Sequence, residues 1–161
     1  MIPFCGASDA TIRQRQLNKL RRLLASQASN RFQQPRLTKL GNPGKLISIE
    51  QFVASTPFTT KQDLIEDQSS HPFFGSNAAC PYHHFKRLHQ TSGTTSRPLY
   101  WLDTAQSWRS ILSCWQKIYQ ASGVQPDDTI FFAFSFGPFL GFWSAYEAAS
   151  QYGCMTIPAG G

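Results

Sequence analysis

Acidic residues are scarce in this chain: nine Asp and Glu stand against 15 Lys and Arg, leaving a formal charge of +6 and a pI near 9.4. No Cys-x-x-Cys pair occurs. Cys5, Cys80, Cys114 and Cys154 are widely spaced, which excludes a zinc ribbon and a dense disulfide framework and suits reduced thiols in a cytoplasmic protein. No apolar run approaches the ~18 residues of a membrane span, and the first residues carry no signal-peptide stretch, so neither export nor a membrane partner is expected. Two common nucleotide-loop patterns are also missing. No glycine is followed by Lys and then Ser or Thr, and no three-glycine dinucleotide fingerprint occurs.

What is present is globular. The 161 residues are about one domain's worth, 41% of them hydrophobic, and the 13 phenylalanines point to a core or pocket rich in rings. The positive charge would suit an anionic ligand. Seven of the 15 basic residues (Arg13, Arg15, Lys19, Arg21, Arg22, Arg31 and Arg36) fall in the first 36 positions. No basic stripe interleaved with aromatics recurs later, so the cluster is read as a solvated helix face and no nucleic-acid partner is assigned.

The first part reads as helical. Residues 9–32 form a surface helix with Leu17, Leu20, Leu23 and Leu24 on one stripe. Gly41-Asn42-Pro43-Gly44 breaks the chain. Ser48 with Gln51, and Thr59 with Gln62, have the spacing of capping boxes that open short helices through about Ala54 and Asp67. A loop follows from His71 to Pro81. Cys80, His83, His84 and His89 offer thiol and imidazole donors, but adjacent histidines rarely face one ion, and His89 lies in a predicted strand, so no metal is assigned to them.

The second part alternates. Phe85 to Gln90 and Leu99 to Trp101 read as strands joined by the loop Thr91 to Pro98 as an extended hairpin. Asp103 and Gln106 form a cap signature for a helix that carries Trp108, Ile111, Leu112, Trp115, Ile118 and Tyr119 on one face and stops at Gly123. Thr129 to Phe134 is a continuous apolar run, as expected of a strand covered on both faces. A helix from Phe139 to Tyr152 and a strand from Cys154 to Pro158 complete a βαβ unit. The expected fold is α/β, with a helical segment over residues 1–85 and the start of an incomplete α/β domain over 86–161.

The loop Thr91-Ser92-Gly93-Thr94-Thr95-Ser96-Arg97-Pro98 brings together hydroxyls, a glycine and an arginine. Backbone N–H groups around a glycine, hydroxyls and a guanidinium suit a phosphate, while the same composition also suits an ordinary surface turn. The loop resembles the Ser/Thr-Ser-Gly-Thr-Thr-Gly-Lys-Pro signature of the adenylate-forming, or AMP-binding, acyl-CoA synthetase superfamily. Within it the chain is most similar to the phenylacetate-CoA ligase group. Leu17-Asn18-Lys19-Leu20-Arg21-Arg22-Leu23-Leu24 resembles that group's opening helix, and Thr56-Pro57-Phe58-Thr59-Thr60-Lys61-Gln62-Asp63-Leu64 its Leu-Pro-Phe-Thr-Thr-Lys-x-Asp-Leu segment. Ala121-Ser122-Gly123-Val124-Gln125-Pro126-Asp127-Asp128 is similar to its Ala-Gly-Val-x-Pro-Gly-Asp turn, and Tyr152 to Gly161 to its Leu-Gly-x-x-x-Ile-Pro-x-Gly-Gly stretch.

The resemblance implies part of the large N-terminal domain of a ligase that activates a carboxylic acid, with an aryl acetate as one candidate, with ATP to an acyl-adenylate and passes the acyl group to coenzyme A, with Mg2+ in attendance. It implies that Thr91, Ser92, Gly93, Thr94, Thr95, Ser96 and Arg97 hold the ATP phosphates. Phe134, Phe139 and Phe142 fall in the segment that lines the acyl pocket, and reading Phe134 and Phe139 as core aromatics stands beside that. Three positions depart from the family pattern: Ser96 replaces a glycine, Arg97 a lysine, and Phe142 a small residue. Phe142 would partly fill an aryl pocket, pointing to a smaller acid or to none.

The family's Tyr-Gly-x-x-Glu segment, ribose-binding aspartate and catalytic lysine have no counterpart in these 161 residues. The expectation is therefore an N-terminal part of a ligase that makes no acyl-adenylate alone, with the missing remainder of the ligase as a candidate partner. The strands near Thr129 and Cys154 are expected to lack neighbours. The competing reading is an inactive remnant or binding module of the same fold.

Overall fold

The computed structural model describes residues 8–91 and 97–160, apart from the side chain of Pro43. They fall into two compact units, residues 1–81 and 82–161. No helix among the described residues is long and apolar enough to cross a membrane.

The first unit is helical. Helix α1 (Asp9–Ser26) is capped by the Ser8 hydroxyl, which accepts the Thr11 N–H. It ends six residues short of the expected Phe32, and Asn30 supplies the reason. Its side chain is 1% exposed and its Oδ1 accepts the N–H groups of both Phe32 and Gln33, a local turn that competes with helical bonding. The chain re-enters helix as α2 (Gln34–Leu37), followed by a 3-10 turn. Leu17 and Leu24 are buried with Leu40 and Leu46, and Leu20 packs against them. Leu23, expected on that stripe, is 57% exposed. Helix α3 (Ile49–Ser55) starts from Ser48, whose hydroxyl accepts the Gln51 N–H. Helix α4 (Lys61–Ser70) starts from a capping box one residue later than expected, formed by Thr60 and Asp63 rather than Thr59 and Gln62. Asp63 provides both halves of the reason: it accepts the Thr60 N–H at 2.7 Å and donates its own N–H to the Thr60 hydroxyl at 3.2 Å.

The second unit holds two small sheets. Strands β1 (Phe85–Gln90) and β2 (Tyr100–Thr104) pair antiparallel, with Leu88 opposite Leu102 and His89 opposite Trp101. Helix α5 (Ala105–Ala121) is capped by the Thr104 hydroxyl, not by Asp103; Asp103 sits in β2 opposite Arg87, its carboxylate accepting from the Ser107 hydroxyl. Gly123 follows α5 at φ +81°, the left-handed conformation glycine tolerates. Strand β3 (Thr129–Phe132), helix α6 (Leu140–Tyr152) and strand β4 (Met155–Pro158) form the expected βαβ unit, β3 and β4 pairing in parallel.

Helix α6 lies between α5 and the β3–β4 pair, and its small residues make that possible. Ala148, fully buried, meets Trp108 and Leu112 of α5, whereas Ala145 and Ala149 meet Phe132 and Cys154. Trp115 donates its indole N–H to Ser144 Oγ at 2.9 Å, and the Tyr119 hydroxyl donates to the Ala145 carbonyl at 2.8 Å. Covering of β3 on both faces does not hold. Phe132 is buried against α6, but Phe131, on the opposite face, is 61% exposed.

Candidate nucleotide and acyl site

The hairpin fixes the two ends of the hydroxyl-rich loop. Thr91 donates its N–H to the Leu99 carbonyl and accepts the Leu99 N–H on its side-chain oxygen, both at 3.0 Å. Leu99 is buried at this neck. The Thr91 hydroxyl thus has one acceptor lone pair engaged in holding the neck, while its proton and second lone pair remain. Arg97 and Pro98 are exposed. Ser92, Gly93, Thr94, Thr95 and Ser96 lie outside the described residues.

One residue before the neck, Gln90 donates its N–H to the Pro138 carbonyl at 2.8 Å. This bond fastens the end of β1 to the turn that enters α6, so the root of the loop and the aromatic segment become neighbours. Gly137 in that turn has φ +48°, and a Cβ there would stand 2.9 Å from the Phe139 ring. Only glycine lets the ring fold back over the turn.

Phe134, Phe139 and Phe142, expected together, are brought together. The Phe134 and Phe142 rings stack at 4.2 Å between centroids, and Phe139 meets Phe142 edge-on at 5.9 Å. All three are half-buried. Phe134 also touches Phe132 and Phe136, joining the trio to the core. A cleft of about 260 Å³ opens nearby, lined by Lys86, Arg87, Leu88, His89, Pro138 and Trp143.

Beneath β1 lies a buried polar cluster that the sequence did not single out. His89 is 3% exposed and stacks on Trp108 at 5.0 Å. Arg87 lies over the same indole at 4.7 Å and pairs with Glu147 of α6, which also accepts the Trp108 N–H at 2.6 Å. Burial lowers the His89 pKa and the Arg87 charge adds to the fall, while Asp103 and Glu147 oppose it. His89 is therefore a neutral ring at pH 7. Its Nδ1 stands 3.8 Å from Asp103 Oδ2, too far for a hydrogen bond. Its former companions in the donor count, His83 and His84, lie exposed in a separate turn. Among the described residues no three His, Cys, Asp or Glu side chains converge as metal ligands.

Comparison with known proteins decides the family. No family model matches the chain. It is 30% identical to the phenylacetate-coenzyme A ligase of Pseudomonas putida over 99% of its own length and 35% of the relative's. It is 33% identical to the ligase of the same name from Escherichia coli K12, over 65% of this chain and 23% of that protein. Among solved structures, 2-hydroxyisobutyryl-CoA ligase in complex with 2-HIB-AMP and CoA superposes with a TM-score of 0.87 at 29% identity, covering 96% of this chain and 33% of that one. An open conformation of that ligase gives a TM-score of 0.85 at 27% identity. The chain belongs to the adenylate-forming CoA ligase family. It spans about a third of the length of the relatives it matches, and corresponds to the N-terminal region of these CoA ligases.

In this member of the family the buried cluster braces the strand that carries the loop, and its effect on stability has a definite sign. Unfolded His89 takes up a proton as pH falls through about 6.5, whereas the folded chain resists it because its pKa is lowered. The contribution is fully present above that pH and is lost as pH drops toward the folded value. Urea midpoints measured at pH 7.5 and 5.5 are expected to fall more for the native chain than for His89→Phe, which keeps a ring on Trp108 without a titrating nitrogen. Equal falls would remove His89 from the account.

Proposed function

We propose that this chain supplies the phosphate loop and acyl-pocket wall of an acid-CoA ligase. A carboxylate oxygen attacks the α-phosphorus of ATP, the bond to the β-phosphate bridging oxygen breaks, and pyrophosphate leaves. The thiol of coenzyme A then attacks the acyl carbon, displacing AMP. Pyrophosphate gathers charge as it leaves, and hydroxyls, backbone N–H groups and the Arg97 cation on Thr91 to Arg97 are suited to stabilise it. The substrates are ATP, coenzyme A and a small carboxylic acid, in a cytoplasmic setting where Cys80, Cys114 and Cys154 remain free.

The observation that carries this reading is the Gln90 to Pro138 bond, which sets the root of the loop beside Phe139. A reaction joining an acid to a nucleotide phosphate needs both recognition surfaces adjacent. The stacked Phe134–Phe142 pair favours a compact acid over an aryl acetate, since the ring of Phe142 takes up space beside Phe134. The solved relative handling a 2-hydroxyisobutyryl group is in keeping with that.

The second reading is a remnant that keeps the fold without the reaction; the chain spans 35% of the length of the P. putida relative. Pyrophosphate release from ATP and a panel of acids tests the two. The chain alone is expected to release none. Paired in trans with the part of the P. putida ligase that it does not cover, it is expected to release pyrophosphate in an acid-dependent way. A bound pair without release makes the remnant reading correct.

A further inference from the structure

The turn that enters α6 is held by its carbonyls. Those of Gly137, Pro138 and Phe139, three in succession, each accept a donor, and Trp143 supplies two of the three. Its backbone N–H donates to Phe139 at 3.4 Å, as the first turn of a helix requires, while its indole N–H reaches back to Gly137 at 2.7 Å. The third donor is the Gln90 N–H, on Pro138 at 2.8 Å. The indole also packs on Phe136, 4.9 Å between ring centroids, so it is held by its ring as well as by its nitrogen. Trp143 is 36% exposed, whereas Trp108 is 5% exposed. Water could satisfy the Trp143 N–H, so burial alone does not dictate its bond to Gly137.

We infer, on the ligase reading, that Trp143 is a positioning residue that keeps the acyl-pocket wall in register with the root of the phosphate loop. Gly137 is the loose joint of the turn. It has φ +48° and the conformational freedom of a residue without a Cβ, while the ring of Pro138 fixes that residue's own φ. Rotation at Gly137 is therefore the motion that would carry Pro138 away from Gln90 and Phe139 away from Phe142. The indole bond falls on Gly137 itself and closes that freedom. A displacement of about 1 Å between bound groups can slow a reaction about 100-fold. A clamp between the wall that meets the acid and the loop that meets the phosphates thus bears on the chemistry through the turn rather than through substrate.

Trp143→Phe in the full 161-residue chain keeps a ring against Phe136 and removes the donor. Amide hydrogen exchange read by NMR is expected to run about tenfold faster at Gln90 in the variant, the scale of one lost hydrogen bond, and pyrophosphate to bind about fivefold more weakly by calorimetry. Tyr119→Phe is the matched control, since it also removes a ring donor from a carbonyl of α6, that of Ala145, but away from the turn. It is expected to leave pyrophosphate affinity unchanged. A further measurement needs no variant: in the native chain the Trp143 indole N–H resonance, assigned through its contact with Phe136, is expected to shift with added pyrophosphate, while that of Trp115, bonded to Ser144, stays in place. Native protection of Gln90 in Trp143→Phe, an unaltered affinity, an equal loss in Tyr119→Phe, or a Trp143 resonance indifferent to pyrophosphate overturns the inference. A native chain that binds no pyrophosphate rejects the phosphate-loop reading and the inference with it, and that failure is distinguishable because it shows before any substitution is made.

Discussion

Trp108→Ala is expected to cost about 3–5 kcal/mol, the usual penalty for truncating a large buried aromatic, and so to consume much of the ~5–15 kcal/mol that holds a domain together. Trp108 is 5% exposed and sits where three elements meet. Its ring stacks on His89 of β1, lies under the Arg87 guanidinium, and packs against Leu112 of α5 and Ala148 of α6. Its N–H is bonded to Glu147. Alanine would leave a cavity next to a carboxylate and a guanidinium that had been arranged around the indole. Trp108→Phe separates the contributions in part: it keeps a ring for His89 but loses the N–H donor to Glu147 and some of the indole's bulk, an expected loss of about 1–3 kcal/mol. Urea unfolding followed by far-UV circular dichroism reads both. A loss under about 1 kcal/mol for alanine would mean that the β1–β2 hairpin is held without this residue.

Phe142→Ala carries the largest expected functional effect. The ring it removes stacks on Phe134 and meets Phe139 edge-on, so its loss opens space between two half-buried aromatics. In the ligase reconstituted in trans, the ratio of kcat/KM for phenylacetate over 2-hydroxyisobutyrate is expected to rise on the order of 10- to 100-fold, the scale on which filled and unfilled apolar pockets discriminate. Alanine is the right replacement because Phe142 stands in the first turn of α6, where glycine would add a helix penalty of its own. An unchanged ratio with lowered stability would assign the trio to the core instead.

The order of elements in the second unit was legible because each boundary has a local chemical cause. Gly123 and Gly153 adopt positive φ where helices stop, and the apolar run from Thr129 announced a strand. Side-chain polarity misleads most in β1. There Arg87 and His89 turn inward and Leu88 is 48% exposed, reversing the pattern expected of a half-buried strand. The cause is tertiary: Trp108, Asp103 and Glu147 meet the inward residues with ring faces and carboxylates, and all three lie on other elements. No window of sequence around His89 contains them. The helix starts were displaced for a simpler reason. Thr60 and Thr104 outcompete neighbouring candidates because their hydroxyls reach the N–H three residues on, at Asp63 and Ser107. The resemblance pointed to the segment that holds Phe134, Phe139 and Phe142, while the bond that sets this segment beside the loop, Gln90 to Pro138, joins backbone groups and leaves no trace in residue type.

The fastening of Thr91 to Leu99 has a consequence for how such a protein can diversify. Because the hydrogen bonds that close the hairpin are made by residues flanking the loop, substitutions between them leave the strand register untouched. Exchange of the exposed Arg97 is thereby uncoupled from the pairing of β1 with β2, and the surrounding architecture stays fixed.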